Sequence, residues 1–285
     1  MRIDHGDLGF STPPALNDVT GYSFKAPRPE RELCEVTSGA LPAGVRDLDG
    51  LLADRRDHVD IPGASLIEGE GTTRLAGLPA RTLTFVILDV QARYRERWAL
   101  ALDTPDTCVQ IAYSGPADNV LIEPRFLHVV ASASLDQASL PTPPDYVRRW
   151  AGKLWIDVPA HLAPPRNYQF LSVDETRRLT VQFFPAAAEP TIESELVEDQ
   201  ALGETVREQS SAEIATPYLT GTRHLVKLVR TEAGLLIEEV VVRVHLRRGD
   251  VAVVHVSGRA PSIDEARLDA EVDALVQSFS GVQGP

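Results

Sequence analysis

The chain has 285 residues, of which 43% are apolar and 24% charged, a balance typical of globular proteins and unlike that of disordered ones. Its net charge of −13 is spread over both halves, without the basic patch or stripe that nucleic-acid binders carry. No window approaches the roughly 18 apolar residues of a membrane span, and the first residues lack the apolar stretch of a signal peptide. We therefore expect a cytoplasmic protein with no nucleic-acid partner and no stable membrane insertion.

The first half of the chain predicts strands, one helix, three further strands and a closing helix. Tyr22 and Phe24 lie two residues apart on an aromatic strand, so their side chains share one face. The segment LCEVTS around Cys34 predicts the next strand, and GEGTTR at 69–74 predicts a surface turn. The other expected elements are a helix over 45–56, strands near 82–88, 94–102 and 107–113, and a last helix with Pro124 near its start.

The second half repeats this order. Tyr168 and Phe170 form the aromatic strand, and residues 178–184 alternate as a half-buried strand does. A helix is expected within 191–209, and strands near 223–230, 235–246 and 251–257, with Gly249 in a hairpin turn. Ser262 and Glu265 form a capping-box pattern ahead of the last helix.

An internal repeat at an offset of 146 positions links the two halves. Residues 8–24 and 154–170 share five identities in 17 ungapped positions: Leu8 and Leu154, Pro13 and Pro159, Leu16 and Leu162, Tyr22 and Tyr168, Phe24 and Phe170. The last helix of copy two has an apolar stripe, and all five positions are apolar in copy one at the same offset. The stripe residues are Leu268, Val272, Leu275, Val276 and Phe279, matched by Ile122, Phe126, Val129, Val130 and Ala133. A tandem duplication is therefore predicted.

The domain boundaries follow from proline content. Residues 139–149 contain Pro141, Pro143 and Pro144, which favour an extended connector. We predict copy one at 1–138, a linker at 139–149 and copy two at 150–285, each long enough for its own core. The strand and helix order lacks βαβ alternation, so each copy is expected to be an α+β domain with an antiparallel sheet packed against helices.

The motifs of common catalytic and cofactor sites are missing from the sequence. No phosphate loop, dinucleotide fingerprint, nucleophile elbow or HExxH pair is present, so neither an enzyme nor a cofactor is predicted. Cys34 and Cys108 are expected to be buried, reduced thiols. His245 and His255 flank the hairpin turn and offer either a two-ligand metal site or, more simply, solvent-facing strand residues.

The opening segment of each copy resembles the DcrB-related family, which has the PsbP-like fold. The resemblance is carried by Pro13 to Thr20 ahead of an aromatic strand, and by the order of the helix, strands, hairpin and final amphipathic helix. Copy two departs from it at Pro164 and Arg166, which replace Asp18 and Thr20. One branch of this family comprises the Eag chaperones of type VI secretion, which act as dimers of a single domain, and a tandem chain resembles such a dimer fused through a linker.

This resemblance implies a chaperone or adaptor without a cofactor. Its partner would be a type VI effector protein, whose apolar N-terminal transmembrane segment it shields before loading, and the chain would be a monomer acting as a pseudo-dimer. The residues expected to line an apolar groove are Tyr22, Phe24, Tyr168 and Phe170. Two alternatives stay open: a general protein-interaction module on the same fold, and an enzyme with a site that carries no known motif.

Overall fold

The computed structural model describes residues 2–5, 8–12, 14–18, 20–26, 31–88, 93–135, 141–184, 204–232, 235–249 and 251–281. Its strands are β1 (Arg2–His5), β2 (Leu8–Ser11), β3 (Asn17–Asp18), β4 (Tyr22–Lys25), β5 (Leu33–Ala40), β6 (Ser65–Leu75), β7 (Leu78–Leu88), β8 (Arg93–Thr104), β9 (Thr107–Pro116), β10 (Tyr146–Ala151), β11 (Leu154–Pro159), β12 (Asn167–Leu171), β13 (Arg178–Phe183), β14 (Thr205–Ala215), β15 (Thr220–Glu232), β16 (Leu235–Arg248), β17 (Val251–Pro261) and β18 (Ser280–Gly281). Its α-helices are α1 (Leu48–Val59), α2 (Ile122–Ser132) and α3 (Glu265–Gln277).

The chain forms two compact units, and neither is a continuous half of the sequence. The central unit contains Gly21–Pro165, and the terminal unit contains Met1–Thr20 together with Arg166–Pro285. These limits differ from the predicted boundaries at 138 and 150, because the first twenty residues pack with the second copy. The predicted linker is also shorter than expected, since Tyr146 already begins strand β10.

The two units have the same sheet topology, as a tandem repeat predicts. The central sheet has the antiparallel order β4-β5-β9-β8-β7-β6, and the terminal sheet has the order β12-β13-β17-β16-β15-β14 with β3 added at the edge beside β12. Two small antiparallel pairings complete the units: the hairpin β10-β11 in the central unit, and β1-β2-β18 in the terminal unit. The α+β class predicted from the element order is confirmed.

Three of the four predicted helices are present in the described residues, with shifted ends. The first begins at Leu48 because Asp47 caps it, its side chain accepting a hydrogen bond from the backbone N–H of Gly50. The expected capping box of copy two does not form: Ser262 starts a single 3-10 turn, and α3 follows from Glu265 without a side-chain cap. All ten predicted stripe positions are buried, and the eight that lie within α2 and α3 confirm the face that each helix turns to its sheet; Ala133 and Phe279 lie just beyond the helix ends.

Two strands arise where the sequence predicted other structure. The GEGTTR segment lies in β6, an edge strand in which a bulge between Ile67 and Gly69 accommodates the glycine-rich stretch. Residues 205–209 of the expected second-copy helix belong to edge strand β14, and residues 191–203 lie outside the described residues. The hairpin turn after β16 is confirmed, with Gly249 at φ +60°.

Both cysteines are free and buried, as expected. Burial, followed by the nearby charge of Glu35, raises the pKa of the Cys34 thiol, and burial is also the largest cause of the raised pKa of Cys108. Neither thiol is therefore a reactive thiolate near neutral pH. Among the described helices, none combines the length and apolar character needed to cross a bilayer.

Candidate functional site

The four aromatic residues predicted to line a groove are core residues instead. Tyr22, Phe24 and Tyr168 are each 1% exposed, and Phe170 is fully buried. The alternation rule correctly placed each pair on one face, since the rings of Tyr22 and Phe24 stack with centroids 6.5 Å apart. The groove assignment is corrected, because strand alternation tells which side chains share a face but not which face the rest of the chain covers.

In the terminal unit, an aromatic cluster covers the predicted pair. The ring of Phe10, on β2, lies 5.4 Å from Tyr168 and 6.2 Å from Phe170, in edge-on arrangements. The same ring contacts Phe183 and Phe279 at 6.2 and 5.4 Å. These rings form an aromatic cluster in the terminal core, so Tyr168 and Phe170 line no open groove.

Glu32 is a buried carboxylate of the central unit with four polar partners. It is 4% exposed and accepts hydrogen bonds from the Tyr113 hydroxyl and Asn119 Nδ2, each at 2.8 Å. Arg125 of α2 pairs with it, and Nε2 of His161 lies 3.1 Å from its Oε2. Four partners occupy the acceptor positions of an ionised carboxylate, which leaves none for a substrate proton. Burial and the adjacent Glu32 charge raise the pKa of Tyr113, so its hydroxyl stays a donor.

Asp157, on β11, is a second buried carboxylate with structural contacts. Its side chain accepts hydrogen bonds from Arg148 Nη1 at 3.0 Å and Thr142 Oγ1 at 3.2 Å. Its backbone N–H donates to Ser132 Oγ at 2.8 Å, at the end of α2. Nη1 of Arg148 also donates a hydrogen bond to the Ser132 carbonyl oxygen, at 2.7 Å. Asp157 therefore fixes the β10-β11 hairpin to α2, and its geometry supports no catalytic role.

His245 and His255 are direct partners on β16 and β17, with ring centroids 4.6 Å apart. His224, on β15, lies one strand further, its ring 5.7 Å from His245. His255 is only 9% exposed, which corrects the expectation of a solvent-facing side chain. Within the described part of the chain, no three histidine, cysteine, aspartate or glutamate side chains are placed to hold a metal ion.

Glu96, on β8, is a partly buried carboxyl of the central sheet. Its pKa is raised, first because partial burial disfavours the charged form and then because of the neighbouring charge of Glu35. A hydrogen bond from Trp98 Nε1, at 2.5 Å, opposes the shift. A carboxyl whose folded pKa is raised stabilises the fold below its unfolded pKa near 4.5, and this contribution is lost as pH rises through the folded value.

We expect Glu96→Gln to flatten the dependence of stability on pH above about 4.5 and to leave the protein at least as stable as the parent near pH 7. The amide oxygen keeps the acceptor for Trp98 while removing the charge. Urea unfolding at a series of pH values, followed by tryptophan fluorescence, measures this. Glu123→Gln, on the exposed side of α2, is the control, and parallel pH profiles for parent and Glu96→Gln would contradict the assignment.

An exposed apolar feature of the central unit lies along α2 and the turn before it. Val120, Pro124, Leu127 and Ala131 recur at i, i+4, i+7 and i+11, and all four are exposed. Val120 is 82% exposed and Leu127 51%. We call these four residues the α2 stripe. Pro124, Leu127 and Ala131 lie on α2 opposite the face that packs on the sheet, and Val120 lies in the turn just before the helix.

The polar neighbours of the α2 stripe are engaged within the central unit. Glu123 pairs with Arg97 Nη2 at 3.0 Å. His128 lies 3.4 Å from Asp157 Oδ2, and its ring is 4.1 Å from that of Tyr146. Because these side chains are held to their own neighbours, the stripe presents an uncharged, apolar line to its surroundings.

Helix α3 is an internal comparison, since it occupies the same place in the terminal unit. At the offset of 146, the stripe positions are Ala266, Ala270, Asp273 and Gln277. Asp273 is exposed and lies 3.7 Å from Arg223 Nε. The apolar stripe is therefore specific to α2 and is not a requirement of the repeated fold. The spacing was visible in the sequence, but only the structure shows that none of the described residues covers it.

The sequence matches no family model and no curated protein. Among solved structures, the apo immunity protein TplEi of the type VI secretion system (T6SS) of Pseudomonas aeruginosa is 10% identical, covering 99% of this chain and 96% of its own, with a TM-score of 0.46. The Tle4–Tli4 complex gives 8% identity, 98% and 96% coverage and a TM-score of 0.47. LpqN of Mycobacterium tuberculosis, involved in cell envelope biogenesis, is 11% identical over 46% of this chain and 86% of its own, with a TM-score of 0.33. At these values the likenesses carry no functional argument, and the DcrB-related resemblance remains a prediction.

Proposed function

We propose that this protein is a non-enzymatic binding protein that receives an apolar helical segment of another protein along the α2 stripe. The observation that carries this proposal is the exposure of Leu127 on α2, whose opposite face is already buried, together with that of Val120 in the turn just before the helix. A helix that is apolar on both sides is ordinarily covered on both. Full burial of a valine or leucine side chain contributes about 1.5–3 kcal/mol, so covering the stripe favours association.

The chemistry of the stripe selects an apolar occupant. None of its four side chains can pair with a charge, and Glu123 and His128 at its borders are already engaged. A charged group placed on the stripe would lose its water without gaining a partner, which is costly. Pro124 and Ala131 have small side chains, which leave room beside Leu127 for side chains of a second helix.

The more specific role is the one expected from the resemblance. In it, the protein is a cytoplasmic chaperone or adaptor that shields the apolar N-terminal segment of a type VI secretion effector before loading. The alternative is a general interaction module that binds a folded partner. The absence of enzymatic activity belongs to the proposal, and it is supported by the structural use of Glu32 and Asp157, the two carboxylates buried in the central unit.

We expect Leu127→Asp to weaken binding of an apolar helix at least about tenfold, because an aspartate at this position must be desolvated on contact. The substitution copies Asp273, the residue at this position in α3, so it is compatible with the fold. The probe is a fluorescent leucine-alanine peptide of about four helical turns, with lysines at its ends, and fluorescence anisotropy measures its binding to the full chain.

Ile263→Asp is the matched control, because Ile263 is 91% exposed and lies outside α2. It should bind the peptide as the parent does, whereas equal affinity of Leu127→Asp and the parent would refute the stripe as the binding surface.

A pull-down from the native cells separates the chaperone role from that of a general interaction module. Loss of the retained protein when its apolar N-terminal segment is deleted supports the chaperone, and unchanged retention supports a folded partner. Cell fractionation tests the cytoplasmic location.

A further inference from the structure

Each copy of the repeat opens with a β-hairpin, and each hairpin belongs to the unit formed mainly by the other copy. The hairpin β1-β2 of copy one lies in the terminal unit, with the sheet and last helix of copy two. The hairpin β10-β11 of copy two lies in the central unit, with the sheet and last helix of copy one. We call residues 1–20 and 146–165 the arms.

The same hydrogen bond anchors both arms. In the central unit, the backbone N–H of Asp157 donates to Ser132 Oγ at 2.8 Å. In the terminal unit, the N–H of Ser11 donates to Ser278 Oγ at 2.9 Å. The two donor residues, Ser11 and Asp157, are 146 positions apart, and so are the two acceptor residues, Ser132 and Ser278. Each bond joins the helix end of one copy to the arm of the other.

The backbone pairings of the arms recur at the same offset. Asn17 pairs with Leu171 in the terminal unit, and Ala163 pairs with Lys25 in the central unit. Ser280, just beyond α3, pairs with Gly9 of one arm, and Ser134, just beyond α2, pairs with Trp155 of the other. All eight residues fit one offset of 146, so the two arms dock in the same register on their respective units.

Both arms also lie against the aromatic pair of their unit. Phe10 contacts the rings of Tyr168 and Phe170 in the terminal unit. In the central unit, a Cβ on Gly152 of the arm would lie 3.5 Å from Tyr22 Cε2. The arms thus close the aromatic surfaces that the sequence had offered as a groove.

Buried charges distinguish the two docking sites. In the central unit, the residue directly before β5 is Glu32, and it pairs with Arg125 of α2. In the terminal unit, the residue directly before β13 is Arg177, and it pairs with Glu271 of α3 at 3.3 Å. Arg125 and Glu271 occupy the same repeat position, so the pair is reversed in sign between the units.

One arm carries a partner for the buried charge at its docking site. The arm of copy two brings His161 to Glu32 at 3.1 Å. The corresponding residue of the other arm is Ala15, which carries no donor. If each arm closed on its own copy, His161 would be brought toward Arg177, and Glu32 would lose one of its partners. Such a mismatch disfavours the unexchanged arrangement.

We infer that the two copies exchange their N-terminal arms reciprocally, so that each unit is completed by the other copy and neither copy is a self-sufficient domain. Each arm-docking surface, formed by the end of the last helix and the edge strand of the sheet, takes a β-hairpin of the repeat as its partner. The contact of His161 with Glu32 distinguishes the two surfaces, because Ala15 of the other arm offers no such partner.

Two matched substitutions in the full chain test this inference. Phe10 and Ile156 occupy the same repeat position, one in each arm, and both are fully buried. We expect Phe10→Ala to raise amide hydrogen exchange at least about tenfold over 166–281 and to leave 21–135 unchanged, although Phe10 belongs to copy one. Ile156→Ala should raise exchange over 21–135 and leave 166–281 unchanged.

Tryptophan fluorescence gives a second readout, because Trp98, Trp150 and Trp155 all lie in the central unit. In urea unfolding, Ile156→Ala should lower the midpoint of the tryptophan transition, and Phe10→Ala should not. If Phe10→Ala prevents the terminal unit from folding, Phe10→Leu replaces it, and exchange should again rise over 166–281 and stay unchanged over 21–135. Loosening of 21–135 by a Phe10 variant, or equal loosening of both units, overturns the exchange.

Discussion

Replacing Glu32 with alanine should lower the free energy of unfolding of the central unit by about 3–5 kcal/mol, the range found when one member of a buried ion pair is removed. The substitution leaves Arg125 beside the core without its carboxylate and removes the acceptor of the Tyr113 hydroxyl and of Asn119. Urea unfolding followed by tryptophan fluorescence measures the effect, since all three tryptophans belong to this unit.

Two further variants separate charge from packing at this position. Glu32→Gln keeps the size and one acceptor oxygen, so it should destabilise less than Glu32→Ala. Glu123→Ala removes an exposed carboxylate of a surface ion pair and should change stability by less than about 1 kcal/mol. A Glu32→Ala loss as small as that of Glu123→Ala would show that the buried network contributes little to the central unit.

Gly258→Val is expected to destabilise the terminal unit by about 3 kcal/mol or more through overpacking. A Cβ at this position would lie 2.7 Å from Leu179, 2.8 Å from Val272 and 2.9 Å from Leu268. These side chains come from β13 and α3 and are themselves fully buried, so none can move without displacing another. Hydrogen exchange over 166–281 measures the loss in the unit that contains the substitution.

Gly69→Ala is the control, because a Cβ on Gly69 meets nothing within 4 Å and the residue lies in edge strand β6. It should be neutral or slightly stabilising, since alanine restricts the unfolded chain. Equal effects of the two glycine substitutions would mean that α3 does not press on Gly258. At the related place in the central unit, a Cβ on Gly115 would lie 2.3 Å from Ile122 Cδ1, so a helix packs against a glycine in both units.

The position of the candidate binding surface changes how the chaperone proposal is tested. The aromatic residues first expected to hold a partner are enclosed by the arms, so substitutions at Tyr22 or Tyr168 would report on folding rather than on binding. Leu127 is exposed and tolerates the aspartate found at the matching place in α3. Its substitution therefore separates loss of binding from loss of structure.

The sequence alone determined the features that depend on local periodicity. The stripes through Phe126 and Val272 identified the two closing helices and their buried faces, because a 3.6-residue period reveals one face of a helix. Most strands of both sheets were predicted within a few residues, because alternation of apolar and polar residues at a period of two reveals one face of a strand. The repeat offset of 146 was also readable, and the matching strand order of the two sheets agrees with it.

Only the tertiary structure decided the features that depend on long-range pairing. Edge strands β6 and β14 lack a strong alternating pattern, and pairing with β7 and β15 stabilises them despite their glycine and polar content. The two arm-docking surfaces share one register, so the choice between them rests on contacts such as His161 with Glu32, which lie 129 residues apart in the chain. Whether the outer face of α2 is covered likewise depends on every other segment, and the spacing of Leu127 within its own helix carries no information about that.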